Sequence, residues 1–385
     1  MTADPAPRPA PRLVYVVTED WFFVSHFLPM ARAARDAGFA VTVIARERAH
    51  RPVIEAEGFR LVGLEAERRS LNPFSAVSAL WRLRGLLVSE RPDIVHLIAL
   101  RSIVIGGLAA RLAGIRRRVV ALTGLGFLGA GRGFVAGLAR GMVRLILRAV
   151  IDGPQVRFLF ENRTDPVTLG LDPDDAGKVA IVGGAGIDPD AFRPAPPPAQ
   201  PPLRAAMVAR MLWSKGPDLA VAAVEMARSR GADVTLSLYG APDPSNPKAI
   251  SEATLLDWAS RPGIAWHGPT RDVAGVWAQH NLAILPSRGG EGLPRTLLES
   301  AASGRAALTT AVPGCQDFIR DGREGRVAPA DDAGALAEAL VALARDPAGV
   351  AAMGEAARAR VLDGHTEAAV GADVLALYRR MLGDG

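Results

Sequence analysis

Short apolar, β-branched runs alternate with longer Ala-, Leu- and Arg-rich stretches of helical period, and the whole alternation occurs twice along the chain. "LVYVVT", "VTVIA", "DIVHLI", "RVVAL", "VRFLF" and "VAIV" read as strands buried on both faces, as parallel strands must be. Between them lie helix candidates such as "LPMARAARDAG", closed by a glycine suited to a helix stop. The pattern breaks at residues 193–202, "RPAPPPAQPP", where six of ten residues are proline. Such a run lacks most of its backbone donors and prefers an extended form, so it reads as a semi-rigid linker. "RAAMVAR", "VTLSLYG", "IAWHG", "LAILP", "AALTT" and "GRVA" then supply a second set of strands. The chain is therefore expected to form two doubly wound α/β domains, 13–192 and 203–365. Residues 1–12 read as a disordered Pro-rich tail and 366–385 as a C-terminal helix, with packing back on the first domain as one option. Ligands of such sheets sit beyond the C-terminal strand ends, so the cleft between domains is the natural site.

Composition narrows the classes. With 385 residues, 49% hydrophobic and 22% charged, there is ample material for two cores. The formal charge of +5 suits a nucleotide, an anionic membrane face or a weak nucleic-acid patch. Only 5% of residues are aromatic and the arginines are dispersed, which argues against nucleic acid as partner. A single cysteine, Cys315, excludes an internal disulfide and a zinc site of several thiolates, and fits a reducing cytoplasmic setting. The tail lacks an apolar signal-peptide core, and no stretch reaches the ~18 uncharged apolar residues of a spanning helix. The chain is not expected to cross a membrane.

The segment "EGLPRTLLES" at 291–300 places Glu291 on a Gly-Leu-Pro turn and Glu299 two helical turns on. Gly289, Gly290 and Gly292 fall where a strand runs out and a helix begins. Free N–H groups there attract anions, and glycines let a phosphate approach the backbone. A plain Gly-rich turn with an exposed acid is the bland alternative. "ARMLWSKG", after the first strand beyond the linker, sets Arg210 and Lys215 five apart. A guanidinium and an ammonium together suit a diphosphate, unless both are surface cations. Other patterns carry less. The Asp-rich "DPDD" (172–175) and "DPD" (188–190) sit on proline turns, where solvation explains them better than a metal does. The six histidines lack ligand spacing, "GLGFLGAGRG" does not open a dinucleotide βαβ unit, and no Gly-x-Ser-x-Gly elbow is present.

Together "ARMLWSKG", the long block from "EGLPRTLLESAASG" to "RVAPADD", and the opening "YVVTEDWFFVSHFLPMARAARDAGFAVTVIA" resemble the retaining, nucleotide-sugar-dependent glycosyltransferases of family four. The likeness runs from about Leu13 to the C-terminus and is nearest the subgroup that transfers sugars, often N-acetylhexosamines, onto undecaprenyl-linked acceptors. The resemblance implies the GT-B fold, two Rossmann-like domains facing each other across a cleft. It implies that Arg210 and Lys215 hold the donor diphosphate and stabilise its charge as it leaves. Glu299 would accept from the ribose hydroxyls, and Glu291 would face the transferred sugar. Backbone N–H groups of Gly292 and Leu293, beside Pro294, would meet the sugar or phosphate. Gly240 and residues 267–271, Arg271 among them, would border the base. Ser25 and His26, in a first loop, would touch the acceptor or the donor phosphate; local packing of His26 is the alternative. Thr123 stands where many relatives carry a histidine against the donor sugar, and its hydroxyl cannot take a cationic role. The resemblance implies a nucleotide-sugar co-substrate, with UDP expected, a lipid-linked or oligosaccharide acceptor, and no metal or other cofactor.

Residues 131–150, "GRGFVAGLARGMVRLILRAV", repeat Arg at 132, 140, 144 and 148 among apolar residues. Such a helix could lie peripherally on an anionic bilayer at the inner face of the plasma membrane, or pack its apolar side on its own domain. Two rivals to glycosyl transfer stand beside it: a nucleotide-sugar epimerase of the same fold, and a non-catalytic membrane-surface scaffold of polysaccharide assembly.

Overall fold

The computed structural model describes residues 9–64, 73–126, 129, 131, 133–243 and 246–383. Residues 1–8 of the expected tail, and Phe127, Leu128, Ala130 and Arg132 of the glycine-rich stretch and basic row, lie outside the described residues.

The first sheet contains β1 (Arg12–Glu19), β2 (Ala40–Arg46), β3 (Arg60–Gly63), β4 (Ile94–Ile98), β5 (Arg118–Leu122), β6 (Val156–Phe160) and β7 (Val179–Ile181). All seven run parallel, in the order β3-β2-β1-β4-β5-β6-β7. The second sheet contains β8 (Leu203–Val208), β9 (Val234–Tyr239), β10 (Ile264–Trp266), β11 (Leu282–Leu285), β12 (Ala306–Thr310) and β13 (Gly325–Ala328). It is parallel too, in the order β10-β9-β8-β11-β12-β13. Strands with helices on both sides bury every side chain, which is why β4, β5, β11 and β12 are apolar almost without interruption and buried at each position. The short edge strand β3, "RLVG", escapes a sequence reading because only Leu61 is fully buried.

Both sheets share one winding. The strand order reverses between β1 and β4 in the first, and between β8 and β11 in the second. Ligand crevices open at such switch points.

The proline run between the sheets forms neither helix nor strand, yet it is tied down. The Pro198 carbonyl accepts from Asn281 Nδ2 at 2.7 Å and the Ala195 carbonyl from Arg305 Nη2 at 2.9 Å. The chain returns after the helix Pro347–Leu362, where Ile187 N donates to His365 O and Glu367 N to Ile187 O, both at 3.0 Å. The last helix, Glu367–Leu382, lies against the helix Leu28–Asp36 and buries Val370, Val374, Leu377 and Tyr378 in the first domain's core. Gly371 permits that approach, since a Cβ there would stand 2.9 Å from the Ala33 Cβ. The Tyr378 hydroxyl sits 2.9 Å from the Tyr15 hydroxyl and 2.6 Å from His96 Nδ1, all three side chains fully buried.

Tyr378→Phe removes the group those two buried polar atoms share, and an orphaned buried polar atom costs roughly 1–3 kcal/mol. Urea unfolding of this variant is expected to show a loss of that size with the native fold retained; an unchanged midpoint would show that the hydroxyl adds nothing.

Candidate active-site cleft

Lys215 and Glu291 reach the cleft from the two strands that flank the second switch point. Lys215 closes a 3-10 turn, Trp213–Lys215, in the loop after β8; Glu291 lies in the loop after β11. Lys215 Nζ donates to both Glu291 oxygens at 2.7 Å, and the Ser287 hydroxyl donates to Oε1 at 2.9 Å. Arg288 ties the two loops together. Its Nη1 donates to Trp213 O at 2.6 Å, its guanidinium pairs with Asp218 at 2.7 Å, and its centre lies 4.4 Å from the Trp213 ring.

Arg210 and Glu299 share a neighbouring cavity of 590 Å³ at the same strand ends, lined also by Tyr239, Gly240 and Thr270. Arg210 is half exposed and pairs with Asp243 at 3.1 Å. Gly240, at φ +143, lets two strand ends meet: a Cβ there would stand 1.8 Å from Ala209 O. Glu299 lies in the second turn of the helix Arg295–Ala302, with Pro294 as its N-cap residue. Burial raises the Glu299 carboxyl above its ordinary range, and Arg295 Nε, 2.8 Å away, opposes that rise. Arg271 is exposed and does not line the cavity; the chain brings Pro269, Thr270 and Val273 to the wall instead.

The opposite wall belongs to the first domain. Ser25 and His26 close a helix, Asp20–His26, rather than a loop, because β1 runs straight into it. The Ser25 hydroxyl is 2.7 Å from His26 Nδ1, and the His26 ring lies 4.4 Å from that of Phe22. Burial first, then the charges of Arg295, Lys215 and Arg210, hold the imidazole neutral, with a pKa near 4. The charges of three second-domain cations thus act on one side chain of the first. Arg295 also crosses the cleft directly, its Nη1 donating to the Ser25 carbonyl.

The glycine-rich loop departs from expectation. Its glycines admit backbone of the other domain rather than leaving room for a phosphate. A Cβ on Gly290 would stand 2.2 Å from Gly126 O, and one on Gly292 2.8 Å from Thr123 O and 2.1 Å from Glu161 Oε2. Gly126 N donates to Gly290 O at 3.0 Å, and Asn162 Nδ2 to Gly292 O at 3.2 Å. The Leu293 N–H, expected to meet the donor, is occupied: it donates to Glu161 Oε2 at 2.8 Å. Thr123 directly follows β5, with its carbonyl against this loop.

Glu161, Asn162, Ser287, Arg288 and Arg295 escaped the sequence reading. Arg295 sits inside the quoted motif, four residues before Glu299, and that spacing alone could have flagged it. Glu161 carries no local signal; it matters only because β6 ends against the Leu293 amide. Among the described residues no group of three or more His, Cys, Asp or Glu is disposed to hold a metal ion. In the "DPDD" stretch, the Asp172 carboxylate caps the Asp174 amide, which is turn geometry.

Comparison with known proteins fits this architecture domain by domain. Residues 12–151 match the family described as "Glycosyl transferase 4-like", and residues 202–346 match "Glycosyl transferases group 1". The chain is a GT-B glycosyltransferase of family four. It is 26% identical over 340 residues, 84% of this chain and 87% of the other, to the N,N'-diacetylbacillosaminyl-diphospho-undecaprenol alpha-1,3-N-acetylgalactosaminyltransferase of Campylobacter jejuni. It is 29% identical over 167 residues, 42% of this chain and 40% of the other, to the amylovoran biosynthesis glycosyltransferase AmsK of Erwinia amylovora. The crystal structure of Anabaena HepE in complex with UDP-glucose superposes with a TM-score of 0.76 at 12% identity, covering 96% of this chain and 99% of that one, a likeness of fold.

In this glycosyltransferase the buried Glu161 carboxyl, pushed up by burial to about 7 from a usual 4.5, gives the domain contact a pH dependence. The unfolded chain releases the proton first as pH rises. Stability from this group is therefore full below about 4.5 and lost as pH climbs through 7, an effect on the order of 3 kcal/mol. Unfolding free energies of Glu161→Gln, measured from pH 5 to 8, should decline less with pH than those of the wild type; parallel profiles would disprove it.

Proposed function

We propose that this glycosyltransferase moves a sugar from a UDP-sugar to a hydroxyl of a lipid-linked saccharide in cell-surface polysaccharide assembly, with retention at the anomeric carbon. The observation that carries the reading is the Lys215–Glu291 pair beside the Arg210–Glu299 cavity, two cation–acid sets at the C-terminal ends of adjoining strands. Lys215 spends two of its three N–H bonds on Glu291, and the third is available to a phosphate oxygen. Arg210 offers forked donors to the same diphosphate, and Glu299 accepts from the ribose. The acceptor oxygen attacks the anomeric carbon from the face the diphosphate leaves. The bond to the leaving oxygen breaks, and that oxygen takes the acceptor's proton. Lys215 and Arg210 stabilise the charge gathered on the diphosphate, and Glu291 faces the electron-poor ring. His26, neutral at physiological pH, offers the acceptor a hydrogen-bonding group rather than a charge. The Campylobacter relative's acceptor, an undecaprenol diphosphate sugar, supports the acceptor class, and the UDP-glucose bound by HepE supports the donor. No metal is called on, because the cations do that work.

The membrane surface follows from the same reading. The helices Pro73–Glu90, Leu100–Leu112 and Phe134–Ile146 flank one face of the first domain and expose Trp81 (56%), Phe134 (86%), Leu138 (63%), Met142 and Leu145. Phe134, Leu138, Met142 and Leu145 recur at helical spacing on the outer side, not against the domain. Residues 73–151 hold twelve arginines against Glu90 and Asp93, a charge of +10 within a chain of +5. An apolar face with that surplus fits an anionic bilayer. Among the described residues no helix is long and apolar enough to cross a membrane.

Glu291→Gln and Lys215→Ala are each expected to lower UDP release by roughly a hundredfold or more with the fold kept, as when one preorganised charge-stabilising group is lost. Near wild-type turnover in either variant would defeat the site assignment. Leu138→Ser with Leu145→Ser should reduce co-sedimentation with anionic liposomes, and full retention would remove the membrane face from the account.

A further inference from the structure

A second cavity, lined by basic side chains, lies at the N-terminal strand ends of the first sheet, opposite the ends that face the cleft. It measures 520 Å³ and is lined by Arg111, Arg116, Arg118, Gly114, Gly153 and Gln155. Arg118 opens β5 and Gln155 immediately precedes β6, so the cavity sits at the N-terminal strand ends, whereas the active-site loops leave from the C-terminal ends.

Three features separate it from an ordinary basic corner. Arg118 is 6% exposed, its Nη1 donates to Gly107 O at 3.3 Å, and its buried Nε has no hydrogen-bond partner. None of Arg111, Arg116 and Arg118 has a carboxylate partner among the described residues, and Asp152, the acid whose charge acts on Arg118, pairs with Lys178. A buried guanidinium without a counter-charge is costly, and burial together with Arg111 lowers the pKa of Arg118. Helix ends explain part of this: Arg111 Nη1 donates to the Val150 carbonyl at 3.1 Å, at the close of the turn Leu147–Ile151. That role leaves the orphaned Nε of Arg118 unaccounted for. Gly153 keeps the approach open, since a Cβ there would stand 3.5 Å from Arg118 Nη2.

We propose that this cavity is an anion site for a phosphate group, held by Arg111, Arg116 and the Nη2 end of Arg118. Guanidinium donors match phosphate oxygens in pairs, and three such groups around one cavity select a multiply charged oxyanion over chloride. The phosphate comes either from a lipid headgroup or from solution. Leu112, 44% exposed and next to the lining residue Arg111 in the chain, offers an apolar neighbour that a headgroup would bring its acyl side to. The site stands apart from the cleft, so its failure leaves the glycosyl-transfer reading untouched.

The test uses the full chain and inorganic phosphate, titrated calorimetrically into the wild type, Arg116→Ala, Arg111→Ala, Arg118→Gln and Lys215→Ala. Arg116→Ala and Arg111→Ala are each expected to weaken phosphate binding about fivefold or more, the worth of one charge-assisted contact. Lys215→Ala should leave a phosphate-binding event in place. Arg116 is exposed, so its variant carries the test even if Arg118→Gln fails to fold. Vesicles of phosphatidylcholine with phosphatidic acid separate the sources. Vesicle binding that Arg116→Ala weakens and free phosphate displaces assigns the site to a headgroup; vesicle binding indifferent to Arg116→Ala, with phosphate binding still lost, assigns it to the free anion. Equal phosphate affinity in the wild type and both arginine-to-alanine variants, or loss of all phosphate binding in Lys215→Ala, overturns the proposal.

Discussion

The loop after β11 is held between two backbones, and the rest of the cleft depends on that contact. Gly290 and Gly292 lie against Gly126, Thr123 and Gly124 so closely that a single methyl at any of several positions would collide with main chain. Gly314 presses from the other side; a Cβ there would stand 1.6 Å from Gly292 O. Hydrogen bonds from Gly126 N and Asn162, and one from Leu293 N to Glu161, then stitch the loop to the first domain. Glycine is required here because only hydrogen fits, and the fit fixes where Glu291 points.

Charge follows from that placement. Glu291 is anchored by Lys215 and Ser287, and Arg288 binds the two loops that carry them, so the acid and its cation do not move independently. Arg295 bonds Glu299 on its own helix and Ser25 across the cleft, which couples the Glu299 side of the site to the opposite wall. Charges in such a partly buried gap act more strongly on one another than at an open surface. His26 registers this: burial and three cations keep it neutral.

Much of this was legible in the amino-acid order, for a physical reason. A parallel strand buried on both faces must be apolar throughout, so twelve of the thirteen strands announce themselves to within a residue or two, and "RVVAL", "VRFLF", "AALTT" and "GRVA" match the observed strands end to end. The β3 edge strand does not, because half of it is wet. Arg210, Lys215 and Glu291 carry a local signature, since each lies in a loop that follows a strand, and Glu299 shares the quoted motif with Glu291 on the helix that the loop leads into. Glu161 and Asn162 have none, because they act on a loop about 130 residues away.

Local pattern therefore determined the two-sheet architecture, the break at the proline run, and the segments able to supply cations and acids. Tertiary structure alone decided what the glycines were for, that the Leu293 amide is taken by Glu161, and which side of the 134–146 helix faces outward. These are questions of what stands opposite a residue, and hydrophobic periodicity records whether a side chain is buried without recording against what. The helix Asp20–His26 makes the point on a small scale: its residues read as a loop along the chain, yet they continue β1 directly into a helix whose end carries His26 within the field of Arg295, Lys215 and Arg210.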